Sequence, residues 1–311
     1  MTRRPPPARE RSRRDDPRRG PEQAAPQPGP PPTRPRPAAR PAAASEPSGP
    51  RPASYPRLDE VAIGGVKACR ALFRHRPEAI LRVFYRADRR AEITDLLGFA
   101  AAHGLVRREL DEEGLRKVSG SVHHEGLTLV ARPLTFARCA PAEAAAAGSW
   151  LALDGVENPH NQGAIARSVA FFGLAGLLVG GPRPGSRVSA ALLRNAEGGA
   201  ETIQLAATED LATTLRELGE QGLPVIGVET GCALGLTTPP LPTPCVLVLG
   251  SEAHGLSPAV RRGCRELRAI EGAGEIGSLN VSVAAGIALA ELTRPRPSRP
   301  TPAATGPRRA S

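Results

Sequence analysis

The sequence predicts an α/β protein in which a parallel sheet flanked by helices is preceded by a small α/β unit. Two observations carry the larger part. From Trp150 onward, short apolar runs alternate with segments of helical length. The runs at 224–229 (PVIGVE) and 245–250 (CVLVLG) are apolar without interruption, the pattern of strands buried on both faces. Alternation with two-sided burial means parallel strands wrapped by helices. A third observation places the smaller unit: short strand-like and helical runs also alternate over residues 57–135.

A chain of 311 residues has room for two domains. Its net charge of +10, with Arg far outnumbering Lys, calls for an anionic partner, nucleic acid first and an acidic membrane surface second. The cysteines Cys69, Cys139, Cys232, Cys245 and Cys264 form no CxxC pair. That scatter fits free thiols in a reducing compartment and argues against a zinc site, so no metal is expected. No run approaches the roughly 18 apolar residues of a membrane span, and the N-terminus lacks an apolar signal core. Glu10, Asp15, Asp16 and the prolines around them are foreign to a mitochondrial presequence. A cytoplasmic protein is expected.

Residues 1–56 are Pro, Arg and Ala with few bulky apolar side chains. Such a segment cannot offset its ordering entropy and is expected to be disordered. Two readings fit it, a basic arm that adds RNA affinity and a solubilising tail. Residues 293–311 have the same character. Order begins near Leu58, where residues 61–66 turn into an amphipathic helix. A strand at 81–85 (LRVFY) and a helix at 91–102 follow, and 118–130 ends in a strand. Arg70, Arg74, Arg76, Arg107 and Arg108 suit RNA and equally suit a solvated helix face. Neighbours in a strand point to opposite sides, and only Glu125 lies near His123 and His124. That pair is therefore read as an RNA-facing loop and not as a metal site.

Residues 136–149 read as a linker with at most one helical turn. Strands are then expected at 150–154, 175–180, 224–229 and 245–250, with helices at 163–172, 211–221 and 281–292. A helix and a short strand share 189–204. Ligands on parallel sheets sit in loops beyond the carboxyl ends of strands, which singles out three loops. In the first (153–173), Asn158, Pro159 and Asn161 mark a polar loop, and Gly163 opens a helix that carries Arg167 among apolar neighbours. In the second (245–257), a core strand ends at Leu249 and Gly250 and delivers Glu252, a carboxylate that needs a partner there. Arg167 is one such partner. The third (269–292) runs from Ile270 past Gly272, Gly274 and Gly277 to Ser278, Leu279 and Asn280, then into a small-apolar helix. Alone it fits two readings, a capped core helix or a ligand cradle held by backbone groups.

Together the three loops read N-x-G-x-x-x-R, L-G-x-E-x-x-G-L and S-L-N-V-S. In order and separation they resemble the SpoU (TrmH-like) branch of the SPOUT RNA methyltransferases over residues 150–292. Residues 57–135 more weakly resemble the substrate-binding domain of many members, with HHEG where relatives often have HQG. The resemblance implies S-adenosylmethionine as cofactor, methylation of a ribose 2′-hydroxyl in ribosomal or transfer RNA, a C-terminal trefoil knot and a homodimer. The separate first domain favours ribosomal RNA. On matching positions the cofactor loops are Leu249 and Gly250, Ile270 and Gly272, and Ser278, Leu279 and Asn280. Asn161, Arg167, Glu252, Ser278 and Asn280 form the active centre, with Asn161 orienting Arg167 and Glu252 fixing Arg167 or Asn280. A catalytically silent RNA-binding factor on the same fold is the competing reading, and the intact polar set speaks against it. A nucleotide-binding α/β enzyme is disfavoured, since no GxGxxG follows an early strand and residues 180–186 (GGPRPGS) lack a Walker lysine.

Overall fold

Residues 56–295 are described by a computed structural model. The arm read over 1–56 and the tail read over 293–311 lie outside the described residues except at their inner ends. The first unit contains β1 (Val61–Gly64), α1 (Val66–His75), β2 (Ile80–Tyr85), α2 (Thr94–Ala102), β3 (Val106–Glu109), α3 (Glu112–Ser119) and β4 (Leu127–Ala131). Its sheet has the order β1-β4-β2-β3. The wholly buried β4 runs antiparallel to β1 and β2, and β3 is parallel to β2. Three of these elements escape the sequence reading. Strand β1, whose residues 61–64 read as a turn into the helix, pairs with β4 as a strand. Strand β3 (VRRE) is an exposed edge with no apolar face to betray it. Helix α3 is short and polar, started by Asp111, whose carboxylate accepts from Gly114 N at 2.8 Å.

The second unit contains β5 (Ala137–Arg138), α4 (Pro141–Ala147), β6 (Trp150–Asp154), α5 (Pro159–Phe171), β7 (Gly176–Gly180), α6 (Ala190–Asn195), β8 (Gln204–Thr208), α7 (Leu211–Glu220), β9 (Val225–Val228), β10 (Leu234–Gly235), β11 (Val246–Gly250), α8 (Pro258–Gly263), β12 (Glu266–Ala269) and α9 (Val281–Leu292). Its eight strands pair in parallel, in the order β10-β12-β9-β11-β6-β7-β8-β5. Alternate residues of one strand enter opposite cores. Leu151 and Leu153 of β6 face one cluster, while Trp150 and Ala152 face the other. This two-sided burial is what the uninterrupted apolar runs required.

The stretch read as a linker (136–149) belongs to this sheet. Strand β5 adds to the edge of β8, and Ala144 O accepts the Trp150 indole N–H at 2.9 Å. Two strand residues and an alanine run carry no periodicity to read. The units also share one core, and Arg76 at the end of α1 grips Glu201 with two bonds of 2.6 and 2.8 Å. Glu201 is only 4% exposed, so breaking one side of this pair would strand a buried charge.

Helix α5 starts four residues earlier than expected. Asn158 caps it, accepting from His160 N at 2.9 Å, and Pro159 takes the first helical position, where its missing N–H costs nothing. Gly163 therefore lies inside the helix. A Cβ there would stand 2.6 Å from both Asn195 Cβ and Leu192 O of the neighbouring α6. Glycine is required by close helix packing and not by a helix start. Gly163→Ala is expected to destabilise the protein by about 1–3 kcal/mol, read from the urea unfolding midpoint; a change under about 0.5 kcal/mol would show that α6 can withdraw freely.

Candidate active site

Strands β6, β7 and β8 follow one another outward on one side; the chain then crosses to the other side of β6, where β9 is laid down first and β11 fills the place between β9 and β6. The reversal falls between β6 and β11, where parallel sheets open a crevice at their carboxyl ends. The first turn of α5 brings Asn161 to this point, the loop after β11 brings Glu252, and the start of α9 brings Asn280. Oε1 of Glu252 accepts from Asn280 Nδ2 at 2.6 Å, from Val281 N at 3.1 Å and from Asn161 Nδ2 at 3.3 Å. Asn280 Nδ2 also reaches Asn161 Oδ1 at 3.4 Å. Through its own Oδ1, Asn280 caps α9, accepting from Ser282 N at 2.9 Å. A carboxylate facing the N-terminus of α9 is favoured by the exposed N–H groups and the helix dipole. Glu252 is exposed, so the reason expected for its pairing, burial at a strand end, does not apply.

Arg167 stands apart from this knot of bonds. Its Nη1 donates to Glu197 Oε1 at 2.7 Å, and the other oxygen of Glu197 accepts from Lys67 Nζ at 2.8 Å. Of the two expected partners of Glu252, Asn280 is the one it holds, while Arg167 bonds Glu197 in place of Glu252 and of Asn161. Six positions separate Asn161 from Arg167, which turns the two side chains to different sides of α5. Glu197 was not singled out in the sequence; it belongs to no motif, and its role arises from a long-range approach of the chain. The residues around it, AEGGAE, offer only a weak signal, two glutamates about a glycine pair.

Arg167 faces a crevice of about 700 Å³ between the units. His123 and Glu125 line it from the first unit, His160, Arg194 and Ser282 from the second. The histidine pair is split. His123 is exposed to the crevice, whereas His124 is buried and its Nδ1 accepts from Gly126 N at 3.1 Å. That corrects the reading of both as RNA-facing. Glu125 Oε2 accepts from Val66 N at 2.8 Å, which satisfies the first turn of α1.

The expected cofactor positions divide by environment. Leu249 is buried in β11, and Ile270 packs partly against the core. At Gly250 a Cβ would fall 2.0 Å from the Gly255 carbonyl carbon, so the loop's closure on itself demands glycine. Gly272, Ser278 and Leu279 lie in the fully exposed run 271–280. Among the described residues, no atom beyond the adjoining ones lies within 4 Å of a Cβ built at Gly272, Gly274 or Gly277. Open backbone beside the uncovered side chains of Ile276 and Leu279 suits a ligand with a flat apolar base and hydrogen-bonding groups. A further cavity of about 790 Å³, bordered by Asp154, Arg187, Asp210 and Ser257, contains none of the motif residues. Among the described residues no group of three or more His, Cys, Asp or Glu is placed to hold a metal ion, and no helix is long and apolar enough to cross a membrane.

Comparison with known proteins identifies the architecture. Residues 149–290 match the model of the SpoU rRNA Methylase family, and residues 62–137 match the RNA 2′-O ribose methyltransferase substrate binding model. An uncharacterized tRNA/rRNA methyltransferase of Mycobacterium avium is 36% identical over 250 residues, 79% of this chain and 81% of that one. The uncharacterized tRNA/rRNA methyltransferase YfiF of Escherichia coli O157:H7 is 35% identical over 241 residues, 76% of this chain and 69% of that one. The fold is shared with an RNA 2′-O ribose methyltransferase (TM-score 0.63, 23% identity, 76% of this chain and 88% of that one). It is also shared with an AdoMet-bound rRNA methyltransferase from Sinorhizobium meliloti (TM-score 0.61, 20% identity, 76% and 87%). With both units matched and four-fifths of a relative's length aligned, the chain belongs to the SpoU family of RNA methyltransferases.

Proposed function

We propose that the protein methylates a ribose 2′-hydroxyl in ribosomal RNA, with S-adenosylmethionine as cofactor. The observation that carries this reading is the Asn161–Glu252–Asn280 cluster at the sheet's reversal point, next to a crevice that holds Arg167 and is walled by the substrate-binding unit. Bound in the exposed loops after β11 and β12, the cofactor supplies an electrophilic methyl group. The chain's own residues do the rest by placement. Glu252 locks Asn280 and the start of α9, which fixes the edge of the cofactor loop. Ser278 lies on that loop and holds cofactor or ribose. Arg167 binds an RNA phosphate and stabilises charge developing on the 2′-oxygen. A guanidinium has no acceptor site, so it is not the base, and the proton leaves by another group or water.

The segment from β12 to α9 is the part of the chain that forms the trefoil knot in this reading. Strand β12 lies across β9 from β11, and the buried Arg268 ties β12 to β10 through Gly235 O at 3.0 Å and to the loop after β10 through Pro239 O at 2.7 Å. The active form is a homodimer. Helix α9 leaves Val283 and Ile287, four residues apart, uncovered on one side, a surface suited to a second copy. Five scattered cysteines with no CxxC pair, together with the RNA substrate, suit the cytoplasm.

Tritiated S-adenosylmethionine with total RNA from cells lacking the gene tests the reaction. Label is expected in ribosomal RNA, in a dinucleotide that survives alkaline hydrolysis; label only in transfer RNA, or on a base, would refute the proposal in its stated form. Arg167→Lys is expected to lower kcat by about 10²-fold or more, because an ammonium cannot make a planar two-pronged contact; near-full activity would remove that role. Asn280→Ala should cost about 1 kcal/mol of stability as a lost cap and most of the activity, compared by thermal melting and turnover. Val283→Glu should convert a dimer to a monomer in sedimentation equilibrium.

A further inference from the structure

Residues 196–201 form a turn wedged between α1 of the first unit and α5 of the second. Gly198 approaches α1 so closely that a Cβ would lie 2.5 Å from Ala71 Cβ. Gly199 meets the other helix, where a Cβ would lie 3.0 Å from the Cα of Arg167 itself. Glu201 pins the far end of the turn to Arg76. At the near end Glu197 joins Arg167 and Lys67, one carboxylate oxygen to each. Glu197 holds a left-handed φ of 46°. Among the described residues Glu125, at φ 50°, is the one other non-glycine residue with positive φ, and both line the crevice of Arg167. Backbone strain of this kind persists only where the surroundings enforce it, and it gathers at functional sites. Lys67 first, then Arg167, keep the Glu197 carboxyl below the usual carboxylate range, so the bridge is ionic at neutral pH.

We infer that Glu197 is a positioning residue for methyl transfer: it fixes the guanidinium of Arg167 and, through Lys67 and the turn, makes that orientation depend on the docked substrate-binding unit. The inference rests on the reading of Arg167 as the group that meets the RNA at the reacting ribose. One bond at Nη1 leaves the other N–H groups of Arg167 for the RNA. A carboxylate partner narrows the orientations the long side chain samples before the RNA arrives, and Lys67 narrows those of the carboxylate. The position of α1 is thereby felt at Arg167 through two ion pairs and one turn.

The test measures initial rates on total RNA from cells lacking the gene, using full-length Arg167→Ala, Glu197→Gln, Glu197→Gly and Glu197→Asp. Arg167→Ala is expected to abolish methylation. Glu197→Gln should lower kcat about tenfold without raising the KM for RNA, since removing a negative charge does not weaken phosphate binding. Glu197→Gly relieves the left-handed backbone, so it should lower kcat as much with no fall in melting temperature. Glu197→Asp keeps the charge in a residue that tolerates this backbone and should recover most of the rate. Activity in Arg167→Ala would overturn the site reading itself. A silent Arg167→Ala with wild-type kcat in Glu197→Gln and Glu197→Gly would overturn the positioning role alone. So would a loss of rate that comes with a raised RNA KM or a lowered melting temperature in Glu197→Gly.

Discussion

One carboxylate oxygen organises the centre of this protein. Oε1 of Glu252 accepts three hydrogen bonds, from side chains of α5 and α9's cap and from the first backbone N–H of α9. The donors come from two segments far apart in the chain, the first turn of α5 and the start of α9, and Asn280 Nδ2 also reaches Asn161 Oδ1, so the carboxylate closes a three-way junction. The loop after β11 is itself rigid, closed by Gly255 N donating to Ser251 O at 2.9 Å with no room for a side chain at Gly250. The anchor is thus fixed before it binds. Charge-assisted bonds are stronger than neutral ones, and a helix N-terminus adds to the attraction. The run 271–280 is exposed throughout and is held chiefly at its two ends, by Ile270 against the core and by Asn280 on Glu252.

How much of this is legible in the sequence follows from the physics of each element. Strands β6, β9 and β11 are legible because burial on both faces leaves no position for a polar residue. The start of α9 is legible because Asn280 combines a cap with an uninterrupted small-apolar run. Strand β3 is not, since an exposed edge strand selects no pattern, and β5 is too short to show one. At the site, Asn161, Glu252 and Asn280 are flagged by their places after strands and before helices, and the structure joins them. Arg167 is flagged too, but its partner is not. Glu197 reaches it because Gly198 and Gly199 let a turn slide between two helices, and that approach depends on residues more than a hundred positions apart.

The same turn explains why the two units behave as one frame around the crevice. Arg76 and Lys67 stand near the two ends of α1, and Glu201 and Glu197 at the two ends of the turn, so the ion pairs bracket the helix. They differ in kind. The Arg76–Glu201 pair is largely buried and two-pronged, which suits a fixed joint. The Lys67–Glu197–Arg167 bridge is more open to water, with Arg167 54% exposed, so its net contribution to stability is small. An exposed pair with little structural value, held on a strained backbone, is better accounted for by what it does to Arg167 than by what it adds to folding.

The departure from HQG to HHEG has a structural meaning in this setting. The Oε2 atom of Glu125 accepts from Val66 N, a bond a glutamine side-chain carbonyl could also accept. What glutamate adds is charge. At the N-terminus of α1 a negative charge is favourable, but the same carboxylate lines the crevice that the proposed function assigns to RNA phosphates. With Glu197 it makes two carboxylates facing Lys67, Arg167 and Arg194, so the crevice is close to balanced where a purely cationic groove would be expected for RNA. A balanced crevice holds phosphate less tightly at any one point and leaves more of the affinity to other basic surfaces of the chain. On the proposed function, selectivity then comes from whether an RNA can align with Arg167 as it is already held, because a groove with little excess charge does not retain every polyanion that reaches it.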